Sequence, residues 1–160
     1  MQPKAFASGP NWSIFIRMTI HIVKLCVGAD SIEDLAVWQQ WQIREAKKAG
    51  LPDRPVCGTR SWPKQANAVL DGGSLYWVIK GAILVRQTIV AIDDVVDQHG
   101  PRCGLYLDPQ LVRTMPAPRR AFQGWRYLKP EDAPADWPES AGGDDLPEHL
   151  RRELVALGAW

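Results

Sequence analysis

The stretch SLYWVIKGAILVRQTIVAID, residues 74–93, constrains the chain more than any other. Leu75, Trp77 and Ile79 alternate with Tyr76, Val78 and Lys80, which is the two-residue period of a strand. The pattern resumes at Ala82, and Gly81 between the two runs allows a tight reversal or a bulge. A long antiparallel hairpin therefore stands at the middle of the chain, and the remaining segments are read around it.

Upstream, residues 18–27 are β-branched and apolar, with Ile20 and Ile22 on one face and His21, Val23, Leu25 and Val27 on the other. A strand covered on both faces is expected, central in its sheet. GADSIEDL then opens a helix. Asp30 or Ser31 can cap it, Glu33 and Asp34 suit its positive end, and Gly50 and Pro52 stop it near Ala49. Its expected buried stripe is Ile32, Leu35, Ala36, Ile43 and Ala46, flanked by Trp38 and Trp41. A short second helix is expected from a Ser61 cap, through Pro63, to Gly72–Gly73.

Downstream, the turn cluster DQHGPR leads to the strand CGLYLD, which Asp108–Pro109 breaks. LVRT and AFQGWRYL read as two more strands on either side of MPAPRR. The C-terminal part is rich in proline and acid until LPEHLRRELVALG, a short amphipathic helix capped by Asp144 or Asp145. The expected fold class is α+β: a small mixed, mostly antiparallel β-barrel or curled sheet with two to three flanking helices. Residues 1–17 read as a disordered leader before a native start at Met18, 18–136 as one domain, and 137–160 as an acidic, proline-rich tail.

Composition excludes several classes. The net charge of +1 selects neither nucleic acid nor an anionic membrane globally, so any charge argument is local. Cys26, Cys57 and Cys103 are too widely spaced for a disulfide framework or zinc knuckle, and His21, His99 and His149 are equally scattered. Three reduced thiols in a cytoplasmic protein are expected, with no metal and no cofactor. IFIRMTIHIVKLCV fails as a signal core or membrane span, because Arg17 and Lys24 interrupt it.

One surface stands out. Between Arg102 and Lys129 there are six bases (Arg102, Arg113, Arg119, Arg120, Arg126, Lys129) and one acid, Asp108. Arginine's planar fork suits phosphate, and Trp125 and Tyr127 beside Arg119, Arg120 and Arg126 can stack bases. TRSWPK and YWVIK repeat these types with Arg60, Trp62, Lys64, Trp77 and Lys80. If the segments meet, they make a basic, aromatic-lined groove for RNA or a nucleotide. The alternatives are that Arg119 and Arg120 pair with the acidic tail, and that Trp125 and Tyr127 are core. A rival reading is a small-molecule enzyme with a cleft near Tyr76, Lys80, Arg86 and Asp93; a third is a protein-interaction module. No catalytic template fits: GGS at Ser74 has no helix behind it, and DGGSLYWVIKG lacks the dinucleotide spacing.

MTIHIVKLCVGADSIEDLA, DGGSLYWVIKGAILVRQ and PRRAFQGWRYLKPEDAPAD together resemble the bacterial domain-of-unknown-function family 1489, known mainly from alphaproteobacteria. The resemblance covers Met18 to Asp136; it implies a cytosolic bacterial protein and carries no activity. A looser likeness in element order is to PUA-like folds, including ASCH and EVE domains, which implies RNA or modified-base binding in a cleft beside a barrel. The glutamate of the ASCH pattern is missing after Gly73, so no residue role transfers.

Overall fold

In a computed structural model of the chain, residues 19–138 are described. The expected leader and the C-terminal helix lie outside them. The elements run β1 (His21–Leu25), α1 (Ile32–Lys48), β2 (Val56–Thr59), α2 (Ala66–Leu70) and β3 (Ser74–Ile79). They continue as β4 (Ala82–Asp97), β5 (Gly100–Leu107), β6 (Val112–Pro118) and β7 (Trp125–Leu128).

The central hairpin lies where the alternation puts it. β3 and β4 pair antiparallel with Ile79 opposite Ala82, so only Lys80 and Gly81 form the loop. Both have positive φ, 50° and 84°, as the mirror-image two-residue turn requires. All six residues of β3 are buried.

β4 organises the sheet. Its register slips around Leu84 and Val90, leaving each as an extra residue that bends the strand. β3 takes one edge of β4. Along the other edge β6 pairs opposite Ala82–Arg86 and β5 opposite Ile89–Asp97. The strand order is β2-β5-β4-β3-β1-β7, and β1 is parallel to β3 while every other pairing is antiparallel.

The expected barrel does not close. β2 and β7 have four residues each and are the free ends of an open seven-stranded sheet. After β2 the chain leaves as an irregular strap, residues 60–65, instead of pairing with β7. The mixed, mostly antiparallel sheet and the two helices are as expected.

α1 is capped as its sequence requires. Ser31 Oγ accepts from the Asp34 amide at 3.0 Å, with Glu33 and Asp34 in the first turn and Lys47 and Lys48 in the last. Leu35 is buried and Ile32, Ala36, Ile43 and Ala46 half-buried, while Trp38 and Trp41 stand half-exposed. Gln39 is the unforeseen member of the buried stripe.

Three elements depart from the sequence reading. α2 starts at Ala66 rather than after Ser61, because the preceding residues form the strap. β2 has no periodic signal; Gly58 interrupts it, and it exists through pairing with β5 and a Gln42 side chain that bonds both Val56 backbone groups. β6 runs through Pro116 and Pro118, which an edge position tolerates, while AFQGWRYL yields only its last four residues as strand.

The two faces of the sheet are covered differently. Ile22, Leu75, Trp77 and Ile89 pack beneath Leu35 of α1 and Val69 of α2. On the opposite face Val23, Tyr76, Val78 and Leu128 are covered by Ala117 of β6 and by Phe122 and Ala133 from segments outside the strands. Gly73 seats α2 against β1: a Cβ there would run into the carbonyls of Ile20 and Val69.

Candidate functional site

β7 places Trp125 and Tyr127 on the helix-covered face, opposite Lys24 and Ile22 of β1. Trp125 Nε1 donates to the Ser61 carbonyl at 3.1 Å, and the Tyr127 hydroxyl accepts from the Gln65 amide at 3.0 Å. The two rings meet edge to face with centroids 4.9 Å apart. These bonds pin the strap near both its ends. Arg60, Trp62 and Lys64, which the strap carries, all face solvent, and Trp62 is 49% exposed. Two stretches more than fifty residues apart are thus brought together.

A second group forms around the β3–β4 turn. The Arg119 amide donates to the Gly81 carbonyl at 2.8 Å, which sets Arg119 and Arg120 beside the exposed Lys80. β1 and β3 end, β7 starts and residues 119–124 pass at the same end of the sheet, so both groups share that end. Arg126 lies on the other face of β7 from Trp125 and Tyr127, its guanidinium 5.2 Å from the centre of the Phe122 ring in the segment that follows Arg120.

Beside the strap lies a cleft of about 510 Å3, bounded by the end of β1, by α1, by β2 and by the β4–β5 turn. Sequence reasoning did not find it. Lys24 stands at its base, in register with Trp77 on one side and Trp125 on the other, all three on one face. Among the described residues the Lys24 ammonium has no ion pair or hydrogen bond. Arg102, also in the wall, is held by Asp97 at 3.3 Å.

The cleft's inner wall rests on a buried amide pair. Gln39 and Gln87, 4% and 0% exposed, bond each other reciprocally at 2.8 Å. Trp77 Nε1, which can only donate, bonds Gln87 Oε1 at 2.8 Å, and Gln87 Nε2 donates to the Asp108 carbonyl at 3.0 Å. These fixed partners orient both amides. Gln87 is fully used, whereas Gln39, which lines the cleft, keeps one N–H without an acceptor among the described residues. Burial holds the Cys26 and Cys57 thiols in the same wall up at about 11, so neither is a poised nucleophile at neutral pH.

The residues of the enzyme reading do not converge. Tyr76 and Arg86 are neighbours in register, but Lys80 sits in the turn and Asp93 lies far along β4 opposite Gly104. Arg86 is engaged: it grips Asp136 through two bonds of 2.7 and 2.8 Å and donates to Ser74 Oγ at 3.0 Å. His21 joins this cluster, its Nδ1 accepting from the Ser74 amide at 3.0 Å and its ring edge-on to Tyr76. Among the described residues no three His, Cys, Asp or Glu gather as a metal site, and no helix is long and apolar enough to cross a membrane.

The family model described as Protein of unknown function (DUF1489) matches residues 22–160. No curated protein and no solved structure matches the chain, so the PUA-like likeness gains no support there.

Proposed function

We propose that this chain, which belongs to the DUF1489 family, binds single-stranded RNA in the bacterial cytoplasm across the end of the sheet where β1 and β3 finish. The observation that carries the reading is the strap. Its hydrogen bonds to Trp125 and Tyr127 bring Arg60, Trp62 and Lys64 against β7 at the same end as Lys80, Arg119 and Arg120. Arginines and lysines there would hold successive phosphates, and the half-exposed Trp62 ring would stack a base. Trp125 and Tyr127, half-buried and hydrogen-bonded, act as the strap's mount rather than as free stacking rings. Arg126, on the other face of β7, is engaged over the Phe122 ring that follows Arg119 and Arg120.

Binding of a labelled single-stranded oligoribonucleotide at several salt concentrations tests this. Replacing Arg119 and Arg120 with Glu should weaken binding and flatten the salt slope by about 0.7 for each phosphate that is no longer held. Trp62→Ala should weaken it by about 1–3 kcal/mol while leaving the melting temperature unchanged. A wild-type protein that retains no RNA at low salt defeats the reading outright.

A further inference from the structure

We infer that the cleft between α1 and the end of β1 is a binding site for a mononucleotide, a planar ring bearing one phosphate. The inference goes beyond RNA binding at the outer surface and stands without it. At about 510 Å3 the cleft falls within the size range of small-ligand sites, and its walls mix apolar side chains and two tryptophans with several polar groups. Those polar groups sort by whether the protein already satisfies them. Gln42 is bound to the Val56 backbone, and Arg102 is balanced by Asp97.

Gln98 and His99 are exposed and bond each other, and Trp38 is half-exposed. Two strongly polar groups that are at least half-buried remain, and both are donors. Lys24, half-buried and flanked in register by Trp77 and Trp125, has no counter-ion among the described residues, and Gln39, 4% exposed, keeps one amide N–H without an acceptor among them. An unmatched cation calls for an anion, and a buried unmatched N–H calls for a neutral acceptor such as a ring nitrogen or carbonyl. With Arg102 neutralised, the fixed charge left in the wall favours one phosphate rather than a triphosphate. Trp38, half-exposed on α1 at the rim, offers a ring face against which a base can lie.

Calorimetric titration with the four ribonucleoside 5′-monophosphates, their nucleosides, inorganic phosphate and benzoate tests the site on the full chain. At least one monophosphate should bind, its nucleoside roughly ten- to hundred-fold more weakly, as removal of a charge-assisted bond implies. Lys24→Met should bring the monophosphate to the nucleoside's level and Lys24→Arg should restore binding. Trp38→Ala, an exposed change that leaves the fold alone, should weaken every monophosphate. The Arg119→Glu, Arg120→Glu double variant should bind monophosphate normally; if it does not, the ligand sits on the RNA surface and the cleft assignment fails while the RNA reading stands. Absence of monophosphate binding, indifference to both Lys24→Met and Trp38→Ala, or benzoate binding as tightly as any monophosphate also overturns it.

Discussion

At the scale of single residues, the Gln39–Gln87–Trp77 group is the arrangement least visible in the sequence. Each glutamine reads as solvent-facing on its own element, and only their meeting across α1 and β4 makes burial tolerable. The local signals are legible because their physics is local: Ser31 caps its own helix and Gly81 completes its own turn. Gln87→Leu should cost more than about 3 kcal/mol by urea denaturation. It strands the Trp77 N–H, the Gln39 amide and the Asp108 carbonyl, each worth about 1–3 kcal/mol when buried and unmet. The Gln39→Leu, Gln87→Leu double variant should recover part of that loss, since two polar groups leave together. A single variant within about 1 kcal/mol of wild type would show that the amides do not pair. Gly81 gives a cleaner contrast. A Cβ there meets nothing within 4 Å, so only the backbone conformation is at stake. Gly81→Val should therefore destabilise by more than about 1 kcal/mol and Gly81→Asn by clearly less, because asparagine tolerates positive φ. Equal costs for the two would mean that the turn is not the source.

At the scale of elements, β7 explains why the strand and the surface readings of AFQGWRYL both have substance. The alternation of Trp125 and Tyr127 against Arg126 is real, and the apolar pair faces the core cluster while Arg126 is exposed. What the sequence does not announce is that the strap, and not a neighbouring strand, covers the pair. Loop segments carry no period, so nothing in RSWPKQ distinguishes a strap from a helix start. Trp125→Ala should consequently destabilise by less than the about 3–5 kcal/mol of a fully buried tryptophan. Trp125→Phe should cost less again, removing mainly the bond to the Ser61 carbonyl. The element-level readout is protease cleavage between residues 60 and 65. Faster cleavage there in Trp125→Ala, with the rest of the chain intact, follows if the strap depends on β7; unchanged cleavage would detach the two.

At the scale of the whole molecule, the α+β plan is legible because the hairpin and α1 are long and strongly patterned. Closure is not, because whether a curled sheet meets its own edge depends on strand lengths at β2 and β7 that no periodicity fixes. Holding β1 to β3 on the face without helices is the cluster of His21, Ser74, Arg86 and Asp136, which also ties the segment after β7 to the sheet. Its titration makes a prediction about overall stability. Burial, and then the nearby Arg86 charge, push the His21 pKa below its ordinary value near 6.5. Between that value and the lower folded one, the unfolded chain binds the proton and the folded chain does not. Stability attributable to His21 is therefore complete above about pH 6.5 and declines as pH falls through that region. The bond from Arg86 lowers the Asp136 pKa likewise, so its contribution declines only in a second window, below the ordinary carboxylate value of about 3.9. Asp136 is half-exposed, which keeps that second decline small. Urea midpoints measured from pH 8 to pH 4 should thus fall first below about pH 6.5. In His21→Asn the side-chain oxygen can still accept from the Ser74 amide, but nothing titrates. That variant should keep most of its stability at pH 8 and lose the decline that begins below about pH 6.5. If the wild-type decline persists unchanged in His21→Asn, the sensitivity lies elsewhere and the neutral imidazole is not what joins β1 to β3.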